Sequence, residues 1–89
     1  MIRILFVPIA DYKLPEQFNQ ILKSKGERTF KILRPQQWGH STYKRTFMQF
    51  SGNEATVTGD QEDMFLGSFV GWIVRNASHV VRAMIIQTA

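Results

Sequence analysis

The sequence contains no cysteine and only two histidines, and both shortages exclude classes of site. Without cysteine the chain forms no disulfide and no thiolate metal site, and it offers no cysteine nucleophile. His40 and His79 stand far apart in sequence, whereas a zinc site needs several ligands at short spacings. We therefore expect neither a metal site nor a cofactor in this chain.

The sequence also lacks a hydrophobic run of the length that a membrane-spanning helix requires. Residues 64–74 form an apolar run of eleven residues, far below the roughly 18 needed. Residues 1–10 are apolar too, but they contain Pro8, are followed by Asp11 and have Arg3 as their basic residue, which is too weak a pattern for a secretory signal. These features predict a cytoplasmic protein that does not contact a membrane.

What the sequence does contain is typical of a small folded domain. Its 89 residues are 44% hydrophobic and 20% charged, which is too apolar for a disordered chain. A domain of this length buries only about 60–65% of the surface that its unfolded chain exposes. We expect a single compact domain over residues 1–89, and a core this small favours homodimerisation.

Hydrophobic periodicity predicts five strands and two helices. The predicted strands cover residues 2–8, 28–34, 43–50, 54–58 and 80–87, and the predicted helices cover residues 15–25 and 61–78. Residues 35–42 are polar and rich in residues that interrupt regular structure, so they are predicted to form a loop. Ser51, Gly52 and Asn53, between two strands, predict a hairpin turn.

Both predicted helices carry signals at their ends. The first has Pro15 at its first position and Gly26 just after its last. Its apolar face consists of Leu14, Phe18, Ile21 and Leu22. The second follows Asp60, a favoured N-cap residue, and has Glu62 and Asp63 in its first turn, where the helix dipole favours negative charge.

The order strand, helix, strand, hairpin, helix, strand predicts an α+β fold. We expect a single-layer, mostly antiparallel sheet of four to five strands with two helices on one face, in a ferredoxin-like βαβ(ββ)αβ order. The first and last strands are the most apolar, so they are predicted to lie inside the sheet.

Charge is distributed unevenly along the chain. Residues 1–50 carry a net charge of +6 and residues 51–89 a net charge of −2, which together give +4. In the basic half, cationic side chains that can neutralise phosphates alternate with aromatic rings that can stack on unpaired bases. The candidate nucleic-acid-binding residues are Lys31, Arg34, Trp38, Tyr43, Lys44, Arg45 and Phe47. A solvated basic face that keeps a small protein in solution is the alternative interpretation.

Two short segments resemble the strand signatures of the RNA-recognition motif. They are residues 5–7 (LFV) and 46–50 (TFMQF). The resemblance implies that Phe6 and Phe47 stack on bases. The chain departs from the motif at Lys44, which stands in place of a glycine, and at Arg45, which stands in place of an aromatic residue.

The second predicted helix is apolar on nearly every side and contains Gly67 and Gly71. Interior glycines each cost a helix about 1 kcal/mol, so they are expected to permit a close backbone approach. That approach is either to the sheet or to the same helix of a second copy. The candidate interface residues are Phe65, Gly67, Phe69, Gly71 and Trp72.

Catalysis has one candidate centre. His40 lies in the polar loop, near Lys44 and Arg45 in sequence, and a histidine with cationic neighbours could act as the general base of a metal-independent ribonuclease. No general acid is identifiable beside it. We therefore expect a non-enzymatic binding module whose partner is RNA or DNA. A homodimerising protein–protein interaction module is the alternative, and a small ribonuclease is the second alternative.

Overall fold

A computed structural model describes residues 1–25, 31–34, 37–39 and 45–88 of the chain. The strands are β1 (Ile2–Pro8), β2 (Lys31–Arg34), β3 (Gln37–Gly39), β4 (Thr46–Ser51), β5 (Glu54–Gly59) and β6 (Val81–Thr88). The helices are α1 (Leu14–Lys25) and α2 (Glu62–Asn76). The predicted α+β fold with two helices is therefore confirmed.

The strands form one antiparallel sheet in the order β2-β3-β4-β5-β1-β6. Four longer strands, β4-β5-β1-β6, make its main part, and the short β2 and β3 extend it beyond β4. The prediction of a loop over residues 35–42 was wrong for Gln37–Gly39, which form β3. There Gln37 lies opposite Gln49 and Trp38 opposite Met48, because pairing with the edge of β4 outweighs the local composition.

A hairpin turn joins β4 to β5, as predicted, but it consists of Gly52 and Asn53, because Ser51 belongs to β4. Ser51 pairs with Glu54, and Gly52 takes a φ of 61°, a left-handed conformation that glycine adopts without steric cost. Asn53 connects the turn to β1 and α1 through two hydrogen bonds. Its carbonyl oxygen accepts a hydrogen bond from the Phe6 amide at 2.9 Å, and its side-chain oxygen accepts one from the Leu14 amide at 3.3 Å. The hairpin is thus fixed to both β1 and the start of α1.

Both helices pack on the same face of the sheet. The ring of Phe6 in β1 lies 5.6 Å from that of Phe18 in α1 and 6.2 Å from that of Phe69 in α2, measured between centroids. Phe18 also contacts Trp72 edge to face at 5.7 Å. The apolar stripe predicted for α1 is buried, as expected: Leu14, Phe18, Ile21 and Leu22.

The position of β6 corrects one prediction. β1 lies between β5 and β6, inside the sheet as expected, but β6 is the last strand and forms an edge. Among the described strands it pairs with β1 alone, and β5 already occupies the other side of β1. Its apolar composition therefore does not reflect burial on both faces: Ile85 is 51% exposed and Ile86 is 42% exposed.

The start of α2 corrects another prediction. The residue that precedes the helix is Gln61 rather than Asp60, and its side chain makes no capping hydrogen bond. The Gln61 amide instead donates to the Thr46 hydroxyl of β4 at 3.1 Å. Asp60 faces Arg45, with 3.8 Å between Oδ2 and Nη1. A neighbouring strand, rather than the residue before the helix, therefore satisfies an amide at the beginning of α2.

Within the described ranges, neither helix is both long and apolar enough to cross a membrane; α2, the longer, has 15 residues.

Candidate functional site

One face of the sheet carries the two helices, and no element that the structure describes covers the other, which we call the uncovered face. Successive strand residues point to opposite faces, and the alternating burial along β1, β4 and β5 follows this pattern. Register with β1 assigns alternate residues of β6 to the same side. The uncovered face consists of Arg3, Leu5, Val7, Phe47, Gln49, Ser51, Glu54, Thr56, Thr58, Ala83, Ile85 and Gln87.

An exposed aromatic ring stands at the β4 end of this face. Phe47 is 47% exposed, Thr58 lies directly opposite it in β5, and Gln49 is its same-face neighbour in β4. Just before β4, the side chain of Arg45 is 84% exposed. We call Arg45, Phe47, Gln49 and Thr58 the Phe47 corner. Phe47, Gln49 and Thr58 place a ring, an amide and a hydroxyl on the uncovered face, and Arg45 lies two residues before Phe47 in the chain.

The backbone at this corner is tightly constrained. Arg45 has a φ of 60°, which places it in the left-handed region, and Gly59 at the end of β5 has a φ of 127°. A Cβ on Gly59 would overlap the carbonyl oxygen of Arg45. Only glycine allows this approach, so Gly59 fixes the turn from which Arg45 projects. The strand predicted over residues 43–50 therefore begins at Thr46, since Arg45 is in the turn.

The middle of the uncovered face is polar, and the β6 side is apolar. Gln49, Thr56, Arg3 and Gln87 form a row across four strands in register. Arg3 is paired with Glu54, with 2.8 Å between Nε and Oε1. Beside it, Leu5 pairs with Ile85. The sequence interpretation did not include this row. The alternation in residues 54–58 already indicated that Thr56 and Thr58 share a face.

The other predicted nucleic-acid-binding residues fall into two groups. Tyr43 and Lys44 lie outside the described residues, as does His40, the candidate catalytic residue. Backbone positions are described for the rest: Lys31 and Arg34 are in β2, and Trp38 is in β3. The structure therefore places β3 directly beside β4, the strand that carries Phe47.

Phe6 does not have the role implied by the resemblance to the RNA-recognition motif. Its side chain is 5% exposed and lies under both helices, with its ring stacked on that of Phe50 at 6.0 Å. A ring in the core cannot stack on a base. Of the two implied stacking residues, Phe47 is the accessible one.

Three of the predicted interface residues are also core residues. Phe65, Phe69 and Trp72 are completely buried because they form the sheet-facing side of α2. Their side chains are therefore not available to a partner in this fold. Gly67 and Gly71 lie elsewhere on the helix. A Cβ on Gly67 would meet nothing within 4 Å, so this glycine does not mediate close packing of α2 on the sheet.

Among the described residues, no three carboxylate or imidazole groups come together as a metal site. Comparisons of the chain with protein-family models, curated proteins and solved structures gave no match.

Proposed function

We propose that this protein is a binding module that takes up single-stranded nucleic acid on its uncovered face, at the Phe47 corner. The observation that carries this proposal is the half-exposed ring of Phe47 on an open sheet face, two residues after Arg45, whose side chain is also exposed. A ring of this kind stacks on an unpaired base, and a guanidinium neutralises a phosphate. Gln49 and Thr58 add donors and acceptors for base edges.

Arg45 is available for this role despite its proximity to Asp60. The two groups are 3.8 Å apart and their side chains are 84% and 66% exposed. Exposed ion pairs contribute little, because water screens them and two long side chains must be ordered. A phosphate can therefore replace Asp60 as the partner of Arg45 at low cost.

The charge distribution supports a polyanionic ligand. Residues 1–50 carry nine basic and three acidic residues, a net charge of +6. β2 and β3, which carry Lys31, Arg34 and Trp38, extend the sheet on the β4 side. A strand of nucleic acid bound at Phe47 would thus run next to the most basic part of the chain.

We further propose that the four longer strands form a ferredoxin-like core. The supporting features are their order, β4-β5-β1-β6, and the positions of α1 after β1 and α2 after β5. In this interpretation β2 and β3 are an insertion between α1 and β4. The insertion widens the uncovered face on the side of the Phe47 corner.

Fluorescence anisotropy with labelled oligothymidylate and oligouridylate tests the binding site. Phe47→Ala should weaken binding about 5- to 150-fold, the equivalent of about 1–3 kcal/mol for one stacked base. Val74→Ala is the matched control, because Val74 is an exposed apolar residue on α2, at 62% exposure. Equal affinity of the two variants would contradict the site.

The salt dependence of the same binding tests the phosphate contact. Arg45→Gln should reduce the slope of log affinity against log salt by about 0.7, the value for one phosphate contact on a single strand. Arg75→Gln, which removes an exposed arginine from α2, should leave the slope unchanged. Binding that does not respond to salt would rule out the electrostatic part of the proposal.

The integrity of the RNA in this assay distinguishes binding from catalysis. A binding module leaves oligouridylate at full length. Cleavage that disappears in His40→Ala would instead support the ribonuclease hypothesis.

A further inference from the structure

No strand that the structure describes pairs with the outer edge of β6, and the positions of the backbone groups there follow from the ladder on its other side. The Phe6 amide donates to Asn53, so the amides and carbonyls of Phe6, Ile4 and Ile2 point towards β5. Those of the intervening β1 residues point towards β6. In β6, the residues opposite Phe6, Ile4 and Ile2 therefore have their amides and carbonyls directed away from β1, towards the outer edge. They are Met84, Ile86 and Thr88.

From Ala83 to Thr88 this edge contains none of the features that usually prevent strand pairing. Such features are prolines, several charges and bulges. β6 (VRAMIIQT) has no proline and one charged residue, Arg82, near its start. The register irregularity of the β1–β6 pair lies at Val7/Pro8, opposite that same end. From Ala83 to Thr88 the edge is regular and uncharged.

The edge is apolar on both faces of the sheet. Ile85 is 51% exposed on the uncovered face, and Ile86 is 42% exposed on the face that carries the helices. Met84, on the same side as Ile86, packs partly against the core. A strand added to this edge would therefore bury apolar surface on both of its faces and also satisfy the free backbone groups.

We propose that two copies of the chain pair through β6, antiparallel, with Ile85 opposite its own copy on the two-fold axis. In this register Met84 lies opposite Ile86 of the second copy, and both residues have outward-pointing backbone groups, so the ladder bonds form. On the uncovered face, Ala83 of one copy lies opposite Gln87 of the second copy. The interface is isologous, and every apolar residue of the edge meets an uncharged one.

A second copy fits this edge because its residues from Ala83 to Thr88 are uncharged and complement themselves in the proposed register. Each chain carries +4, so two copies repel unless their charges are well separated. In the proposed register Arg82 lies opposite Thr88 of the partner copy. The two Arg82 residues are then six positions apart along the strands, about 20 Å, well beyond a Debye length of about 8 Å. No like charges face each other across the edge.

Cysteine cross-linking tests the register, because the chain has no cysteine of its own. In the proposed register Ile85 forms a pair without ladder bonds, in which Cα atoms are about 4.5 Å apart, within the range of about 4.4–6.8 Å for disulfides. Under mild oxidation Ile85→Cys should become mostly disulfide-linked dimer. Gln87→Cys is the control on the same strand and face. Its two copies would be about 13 Å apart along the strands, so it should stay monomeric on a non-reducing gel.

Sedimentation equilibrium tests the dimer itself. The unmodified chain should show a concentration-dependent shift from monomer to dimer mass. Ile85→Lys places two ammonium groups opposite each other and should raise the dissociation constant at least tenfold. Val74→Lys adds the same charge on α2, at a residue that is 62% exposed, and should dimerise normally. Circular dichroism establishes that both variants fold.

Three results would overturn the proposal. One is a chain that sediments as a monomer at all concentrations. Another is Gln87→Cys cross-linking as readily as Ile85→Cys. The third is Ile85→Lys dimerising as tightly as Val74→Lys, which would place the interface elsewhere. Nucleic-acid binding by a monomer would leave the proposed function intact, so the two proposals can fail separately.

Discussion

At the scale of single residues, backbone conformation determines where the candidate site lies. Arg45 and Gly59 both have positive φ, and the carbonyl oxygen of the first occupies the space that a side chain on the second would need. Gly67 is the opposite case, because it has open space around it and lies within a helix. The two glycines look alike in the sequence, yet only Gly59 has a steric reason to be glycine.

We predict that Gly59→Ala destabilises the fold by at least about 2 kcal/mol, because it combines an unfavourable φ with a backbone overlap. Gly67→Ala is the control. It adds a methyl group in open space on a helix and should stabilise the protein by about 0.5–1 kcal/mol. Urea denaturation measures both. Equal transition midpoints for the two variants would contradict the described turn.

At the scale of secondary-structure elements, the sequence predicted the limits of an element better than it predicted which strands pair with each other. The limits of α1 agree with the prediction to within one residue, because Pro15 and the spacing from Leu14 to Leu22 are local signals. β6 was correctly predicted as a strand, but its place at the edge was not. Periodicity shows which residues alternate, whereas the sheet order depends on distant pairing. The positive φ of Arg45 had no local signal, because arginine rarely adopts it.

The start of α2 depends on β4, and this dependence can be measured. Thr46 is 2% exposed, and its hydroxyl accepts the Gln61 amide. We predict that Thr46→Val, which keeps the shape and removes the acceptor, costs about 1–2 kcal/mol, because it leaves an amide unsatisfied at the helix start.

Thr58→Val is the matched control for this measurement. Thr58 is an exposed residue of β5, and the same change there should alter stability by less than about 0.5 kcal/mol. Thermal unfolding followed by circular dichroism compares the two variants. A cost as small at residue 46 as at residue 58 would show that the hydrogen bond contributes nothing.

At the scale of the whole molecule, the two proposals combine into one binding surface. A two-fold axis perpendicular to the sheet keeps both uncovered faces on the same side. Seven strand spacings, about 34 Å, then separate the two Phe47 side chains across the strands, and eight positions, about 27 Å, separate them along the strands, about 43 Å in all. A long single strand could therefore occupy both Phe47 corners at once, whereas a short one could not.

We predict that a long oligonucleotide binds at least tenfold more tightly than a short one, because the second contact is intramolecular. Ile85→Lys should abolish this difference, because it prevents the dimerisation that joins the two corners. Titration of both lengths against both proteins checks this expectation. A length effect that persists in Ile85→Lys would show that it does not depend on dimerisation.

The position of β1 between β5 and β6 also has a consequence for the rate of folding. Ile2 pairs with Val57 on one side and with Thr88 on the other, so both neighbours of this strand are distant in sequence. The β4–β5 hairpin forms from residues that are close in sequence. Pairing of β1 with β5 and β6 instead requires the closure of long loops, and the entropy cost of closing them slows folding. This inner strand is therefore expected to be among the last to acquire its partners, and folding should take milliseconds to seconds.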